Sequence, residues 1–226
     1  MPEAKTVKVL IVEDHPLFSK GLASLITGKP GYVVAGEASS LSRAMKIAEQ
    51  KKPELAIVDI LLGNESGLDL IPRLKSLNPD MVILVLSAHD ERYYSERALR
   101  LGARGYIMKD KPAENVLDAI KTVMSGKIYL SETERERVLE SITGENLPKG
   151  KDWGDSLRRL SDREIQIFSC IGKGLGTGEI ANKLKLSAKT IDTHKEHIKL
   201  KLHCDSSHEL RRFAIEWVNH PDVPYT

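Results

Sequence analysis

The sequence predicts an α/β doubly wound five-stranded parallel sheet followed by a small all-α helix-turn-helix domain. Three observations carry this. Five short runs rich in Val, Ile and Leu alternate with amphipathic stretches through residue 125; the runs are nearly continuously apolar; and beyond residue 156 only helix-period segments remain. Continuously apolar strands separated by helices belong to a parallel sheet covered on both faces. With 226 residues, the chain can hold two ordinary domains.

The strands are "VKVLIV" (7 to 12), "YVVAGEA" (32 to 38), "LAIVD" (55 to 59), "MVILVLS" (81 to 87) and "GYIMK" (105 to 109), each bounded by polar, Gly or Pro punctuation. Helices are expected near 16 to 27, 41 to 50, 67 to 77, 92 to 101 and 113 to 125. After Gly126 the pattern changes. "SETERERVLESIT" (131 to 143) reads as a charged helix, and "GENLPKGKDWGDS" (144 to 156), with three Gly and one Pro, as a linker. A capping box, Ser161 to Glu164, opens the next helix. "GKGLGTGEIANKL" (172 to 184) gives a glycine-rich turn and a second helix, "SAKTIDTHKEHIKLKL" (187 to 202) a third capped by Ser187, and "SSHELRRFAIEWV" (206 to 218) a fourth. The expected domain limits are 5–125, a linker with a charged helix at 126–154, and 155–220.

The net charge is +2, unevenly built. Six lysines between Lys183 and Lys201 face only Asp192 and Glu196, a local excess that suits a polyanion. Cys170 and Cys204 lack metal-ligand spacing, which argues against a disulfide framework or a zinc site. The first residues contain no apolar signal region and no run is long enough to span a bilayer, so no membrane association and a cytoplasmic location are expected.

In a doubly wound sheet, ligands bind beyond the carboxyl ends of the strands, near the switch in strand order. The first strand ends in Glu13-Asp14, the third in Asp59, the fourth in Ser87 and the fifth in Lys109. Three carboxylates suit Mg²⁺, a hard ion that keeps several waters and accepts phosphoryl oxygens. Asp59 can then act as a carboxylate nucleophile toward phosphorus, while Ser87 and Lys109 stabilise the new phosphoryl oxygens. One Asp at a strand end is commonly a turn residue or a helix cap. Five capable groups at ordered strand ends form a site.

At these residues the chain resembles the receiver domain of two-component response regulators, a flavodoxin-like fold, over roughly residues 5 to 124, including the Asp59 to Gly67 spacing. The resemblance implies phosphorylation of Asp59 by a sensor histidine kinase, Mg²⁺ held by Glu13, Asp14, Asp59 and the Leu61 carbonyl, and Tyr106 as the aromatic that reorients with Ser87. Gly63 stands where the family often has Pro, and Asp110 follows Lys109 where many receivers have Pro.

In the second domain, a supporting helix at 177 to 184 and a turn through Leu186 precede a candidate recognition helix from Ala188. Stepping 100° per residue puts Ile191, Ile198 and Leu202 inward, and Lys189, Asp192, Thr193 and Glu196 outward. Such a helix can enter a major groove, with Thr193, Asp192 and Glu196 near base edges. Lys183, Lys189, Lys199 and Lys201 suit phosphates, and Thr177 and Thr190 can add hydroxyl contacts. Asp192 and Glu196 repel nearby phosphates unless each finds a donor. His194 reads as a packed, satisfied histidine, and His197 as exposed without a role. Leu210, Phe213, Ala214 and Trp217 form an i, i+3, i+4, i+7 stripe on the last helix, whose first use is to cover the core.

The elements "L(S)xRE", "G…EIA", "LxLSxKT" and "TH…I..KL" resemble the LuxR-type DNA-binding domain over about residues 155 to 220. With the receiver, the architecture resembles the NarL/FixJ group. The resemblance implies promoter DNA as partner and a homodimer formed through Leu210, Phe213 and Trp217 on phosphorylation or DNA binding, hence an inverted-repeat operator. The competing readings are a Mg²⁺-dependent phosphatase, for which Leu61 stands where a general acid is needed, and a receiver with a protein- or RNA-binding output. The expected protein is a phospho-acceptor and regulator, not a turnover enzyme.

Overall fold

The computed structural model describes residues 6–63, 65–88, 91–143, 157 and 159–219. The chain divides into two compact units, with the break between Glu134 and Arg135. The linker expected at 144–156 lies outside the described residues.

In the first unit, strands β1 (Val7–Val12), β2 (Tyr32–Ala38), β3 (Leu55–Val58), β4 (Val82–Ser87) and β5 (Gly105–Met108) form one parallel sheet in the order β2-β1-β3-β4-β5. Helices α1 (Pro16–Thr27), α2 (Leu41–Lys51), α3 (Leu70–Leu77), α4 (Glu91–Arg100) and α5 (Ala113–Met124) connect them. Successive residues of a strand point to opposite faces, and alternate ones share a face. Val9, Ile11, Leu55, Ile57, Leu84 and Leu86 therefore join Leu22, Ile26, Val116 and Ile120 of α1 and α5 in one core layer. Leu10, Ala56, Val58, Ile83 and Val85, on the other face, are also buried. Each such aliphatic side chain contributes about 1.5–3 kcal/mol on leaving water, which is why these strands carry no polar alternation.

The strand order reverses at β1, so the carboxyl ends of β1 and β3 are neighbours at the switch point. Residues 67 to 69 form a 3₁₀ turn ahead of α3 rather than α-helix. Before it, Leu61–Leu62 pairs antiparallel with Glu65–Ser66 in a small ribbon. Gly63 has φ +61°. Proline, locked near −65°, cannot adopt that angle, which explains the glycine.

Helix α6 (Glu132–Thr143) begins inside the first unit. The segment before it was expected as linker, yet it is built onto the sheet. Tyr106 N–H donates to the Tyr129 carbonyl at 2.9 Å, Tyr129 N–H donates to the Arg104 carbonyl at 3.0 Å, and Leu130 is buried. Ser131 N–H donates to Glu91 of α4 at 2.9 Å, and the Ser95 hydroxyl donates to the buried Glu134 carboxylate. The start of the connection is thus hydrogen-bonded to β5 and α4.

The second unit contains α7 (Asp162–Gly172), α8 (Thr177–Leu184), α9 (Ala188–Leu202) and α10 (Ser207–Asn219). The capping box forms as expected: Glu164 N–H donates to Ser161 Oγ, and Ser161 N–H to Glu164 Oε2. Lys185 ends α8 in the left-handed region at φ 53°, and Ser187 Oγ caps α9 by accepting from Thr190 N–H at 3.0 Å. Between them these two residues set the tight turn of the helix-turn-helix.

Candidate functional site

Three acids meet at the switch point because β1 and β3 are adjacent. Glu13 and Asp14 directly follow β1, and Asp59 directly follows β3; Asp59 N–H is fixed by the Val12 carbonyl at 2.9 Å. Glu13 and Asp59 are each 5% exposed, while Asp14 is half-buried. Buried carboxylates need a counter-charge, and Lys109 supplies it. β5 lies two strands from β3, roughly 10 Å away, a gap that the four-carbon lysine stem crosses. Its ammonium donates to Asp59 Oδ2 at 2.7 Å and pairs with Glu13 Oε2. It also lies 4.6 Å from the centroid of the Phe18 ring, a cation–π contact that steadies the stem.

Asp59 Oδ1 is buried and accepts no hydrogen bond among the described residues. One oxygen of the carboxylate is therefore held by Lys109 and the other is left for a ligand. Asp14 Oδ2 accepts from Gly63 N–H at 2.9 Å, which draws the loop after β3 toward the acids. Ser87 is fully buried at the end of β4, and its carbonyl accepts from Lys109 N–H at 2.8 Å. Leu61 starts the ribbon after Asp59, and Tyr106 is fully buried in β5.

The sequence reading missed His15. Its Nδ1 lies 3.0 Å from Glu13 Oε1 and 2.9 Å from Asp14 Oδ1, and together Glu13, Asp14, His15 and Asp59 offer ligand atoms within 4.8 Å of one another. Its place directly after the acidic pair was the available signal. This oxygen-rich donor set, with the buried Asp59 Oδ1 unpartnered among the described residues, fits a hard divalent cation such as Mg²⁺.

In the second unit, Ile191, Ile198 and Leu202 are buried, as the helical phase predicts, and Lys183, Lys189, Asp192, Thr193 and Glu196 are exposed. The other expected contacts are partly engaged. Asp192 and Lys195 both reach Thr177 across the two helices, at 3.4 and 2.5 Å, and Lys199 pairs with Glu196 at 2.8 Å. Thr190 Oγ1 shares a hydrogen bond with Ser187 Oγ at 2.7 Å.

Other expected residues have partners within the unit. Lys201, expected as a phosphate contact, directs its ammonium to the buried Glu164 carboxylate at 2.6 Å. Burial pushes the Glu164 pKa up, but the Lys201 bond, the Ser161 N–H and the Lys201 charge outweigh it and hold the carboxyl below its usual range. Leu210 and Trp217, expected at a dimer contact, are buried in the unit's own core, and Phe213 is half-buried. Phe168 packs on Trp217 and Phe213 at ring distances of 5.1 and 6.5 Å. The exposed side of α10 is instead Arg211, Arg212, Ile215 and Glu216.

Residues 9–121 match the response regulator receiver domain family, and residues 158–214 match bacterial regulatory proteins of the luxR family. The oxygen regulatory protein NreC of Staphylococcus carnosus (strain TM300) is 32% identical over 211 residues, 93% of this chain and 97% of that protein. The transcriptional regulatory protein MctR of Rhizobium johnstonii (strain DSM 114642 / LMG 32736 / 3841) is 31% identical over 216 residues, 96% of each chain. RcsB from Salmonella enterica serovar Typhimurium, solved bound to promoter rprA with phosphomimetic BeF3⁻, has a TM-score of 0.57 at 22% identity, covering 93% of this chain and 98% of that one. At that identity the likeness is one of fold. Among the described residues no helix is long and apolar enough to cross a membrane.

Proposed function

The chain belongs to the two-component response regulators of the NarL/FixJ group and is a transcription regulator with a LuxR-type DNA-binding domain; from that premise we propose that phosphorylation of Asp59 by a sensor histidine kinase is its switch. The observation that carries the reading is the convergence of Glu13, Asp14, Asp59 and Lys109 at the switch point, with Asp59 Oδ1 unpartnered. Oδ1 attacks the phosphorus of a phosphohistidine. The O–P bond forms, the P–N bond breaks, and the released imidazole takes up a proton from solvent. Lys109 then turns from Asp59 Oδ2 to a phosphoryl oxygen, and the Ser87 hydroxyl donates to another. Glu13, Asp14, Asp59 and the Leu61 carbonyl would hold Mg²⁺. When bound, the ion neutralises charge on the phosphoryl oxygens.

Ser87 moving toward the phosphoryl group opens space for Tyr106 to repack. The Tyr106–Tyr129 backbone bond and the contacts of Glu91 and Ser95 with Ser131 and Glu134 support a route from β5 into α6. The output is DNA binding by α8 and α9, with Lys183 of α8 and Lys189 of α9 on phosphates and Thr193, Asp192 and Glu196 near base edges. Dimerisation through the outer face of α10 would place two α9 helices on an inverted repeat. The domain limits 5–125 and 155–220, with 126–154 between them, and a cytoplasmic location belong to the same proposal. Leu61, where a phosphatase needs a general acid, argues against turnover of external phosphoesters.

The test is labelling with radioactive acetyl phosphate. Wild type takes up label with Mg²⁺ and loses that ability in EDTA, and Asp59→Asn takes up none. Persistent labelling of Asp59→Asn would refute the acceptor assignment.

A further inference from the structure

We propose that Glu164, His194 and His197 form a binding site for a divalent transition-metal ion, Zn²⁺ by its donor chemistry, that ties α7 to α9. One carboxylate oxygen of Glu164 and one ring nitrogen of each histidine lie within 4.8 Å of one another. His194 and His197 occupy positions i and i+3 of α9, so they leave the helix as neighbours one turn apart. Their rings are nearly perpendicular, with centroids 6.5 Å apart. Glu164 is 3% exposed in the first turn of α7, His194 is half-buried and His197 is exposed. Burial thus decreases from Glu164 to His197, which gives an ion a path in from solvent.

Two further observations set this cluster apart from a chance grouping. The Nδ1 atom of His194 is buried and has no hydrogen-bond partner among the described residues. An unsatisfied buried polar atom costs about 1–3 kcal/mol, a cost that a bound ion removes. Ser161 N–H and Lys201 Nζ both donate to Glu164 Oε2, which leaves an ion to approach through Oε1.

Burial lowers the His194 pKa below the usual imidazole value, against the opposing charge of Glu164. Two imidazoles and one carboxylate, with a fourth position for water, form a tetrahedral zinc donor set. Mg²⁺ prefers oxygen ligands throughout. Zn–N and Zn–O bonds of about 2.0–2.2 Å require the donors to close in slightly, and the exposed His197 is free to rotate. Cysteine spacing could not signal this site, because neither Cys170 nor Cys204 contributes to it.

The experiment is a calorimetric titration of Zn²⁺ into metal-free full-length protein, with Mg²⁺ in excess to occupy the acidic pocket. Wild type and Asp59→Asn bind one equivalent with the same affinity. His197→Asn, altered at an exposed position, binds it more weakly by about 100-fold or more, since even outer-shell changes cost 10- to 100-fold. His197→Cys, which returns a zinc ligand to the same place, keeps the site. Co²⁺ gives intense visible d–d bands in wild type and not in His197→Asn. Equal zinc affinity in wild type and His197→Asn, or no stoichiometric zinc binding by wild type, overturns the proposal.

Discussion

A Cβ on Gly67 would stand 1.8 Å from the carbonyl oxygen of Asp59, so only glycine lets the chain pass beneath the acceptor. Gly67 N–H also donates to the Ile60 carbonyl at 2.7 Å, closing the loop that follows the acid. The eight-residue interval between Asp59 and Gly67 is thus a steric requirement of the loop. Gly67→Ala forces a backbone shift at the site. It is expected to destabilise the protein by about 1–3 kcal/mol, the usual cost of overpacking, and to slow phosphorylation of Asp59. Urea denaturation and acetyl phosphate labelling measure the two effects, and wild-type behaviour in both would remove the steric argument.

Lys109 compensates two nearly buried carboxylates at once. Lys109→Ala leaves Glu13 and Asp59 facing each other without a cation, which is expected to cost about 3 kcal/mol or more in the absence of divalent ions. Millimolar Mg²⁺ then stabilises the variant more than it stabilises wild type, because the ion replaces the missing charge. Denaturation midpoints with Mg²⁺ and with EDTA give the comparison. An equal Mg²⁺ effect in both proteins would mean that Lys109 and the ion do not share these acids.

The Lys201–Glu164 pair makes the second unit pH-sensitive. Glu164 has its folded pKa held below the unfolded value. Its contribution to stability is present above the unfolded pKa of about 4.3 and is lost as pH falls through the folded pKa. Lys201→Met is therefore expected to cost about 1 kcal/mol at pH 7, the pair being partly exposed, with the difference from wild type shrinking below about pH 4.3. Chemical denaturation of the full-length proteins at several pH values checks both parts. A difference that grows on acidification contradicts the sign.

Lys189 is exposed at the start of α9 and makes no ion pair among the described residues. Lys189→Ala is expected to weaken binding to all DNA sequences alike and to reduce the salt slope by about one. Thr193→Ala, by contrast, should alter preference among sequences. Fluorescence anisotropy over a salt series separates the two, and an unchanged slope in Lys189→Ala would remove it from the phosphate contacts.

The acidic site was legible because strand ends are fixed points. Once "LAIVD" and "VKVLIVED" are read as adjacent buried strands, Glu13, Asp14 and Asp59 must meet, and Lys109 has the reach to join them. What sequence reading missed lay in short polar stretches and long side chains. Tyr129 sits in a short segment between α5 and α6 with no periodicity, yet its backbone pairs with β5. Lys201 was matched to phosphates by its charge, but its long stem carries the ammonium to Glu164. The Leu210–Trp217 stripe has the spacing of a core-covering face, and Leu210, Ala214 and Trp217 are buried.

The most direct test is the affinity for a DNA fragment protected by the full-length protein in a genome-wide binding profile, measured with and without acetyl phosphate and Mg²⁺. The account predicts that phosphorylation tightens wild-type binding by roughly 5- to 150-fold, the usual range of coupling between sites, and leaves Asp59→Asn unchanged. An equal response in Asp59→Asn, or no response in a fully phosphorylated wild type, would contradict it.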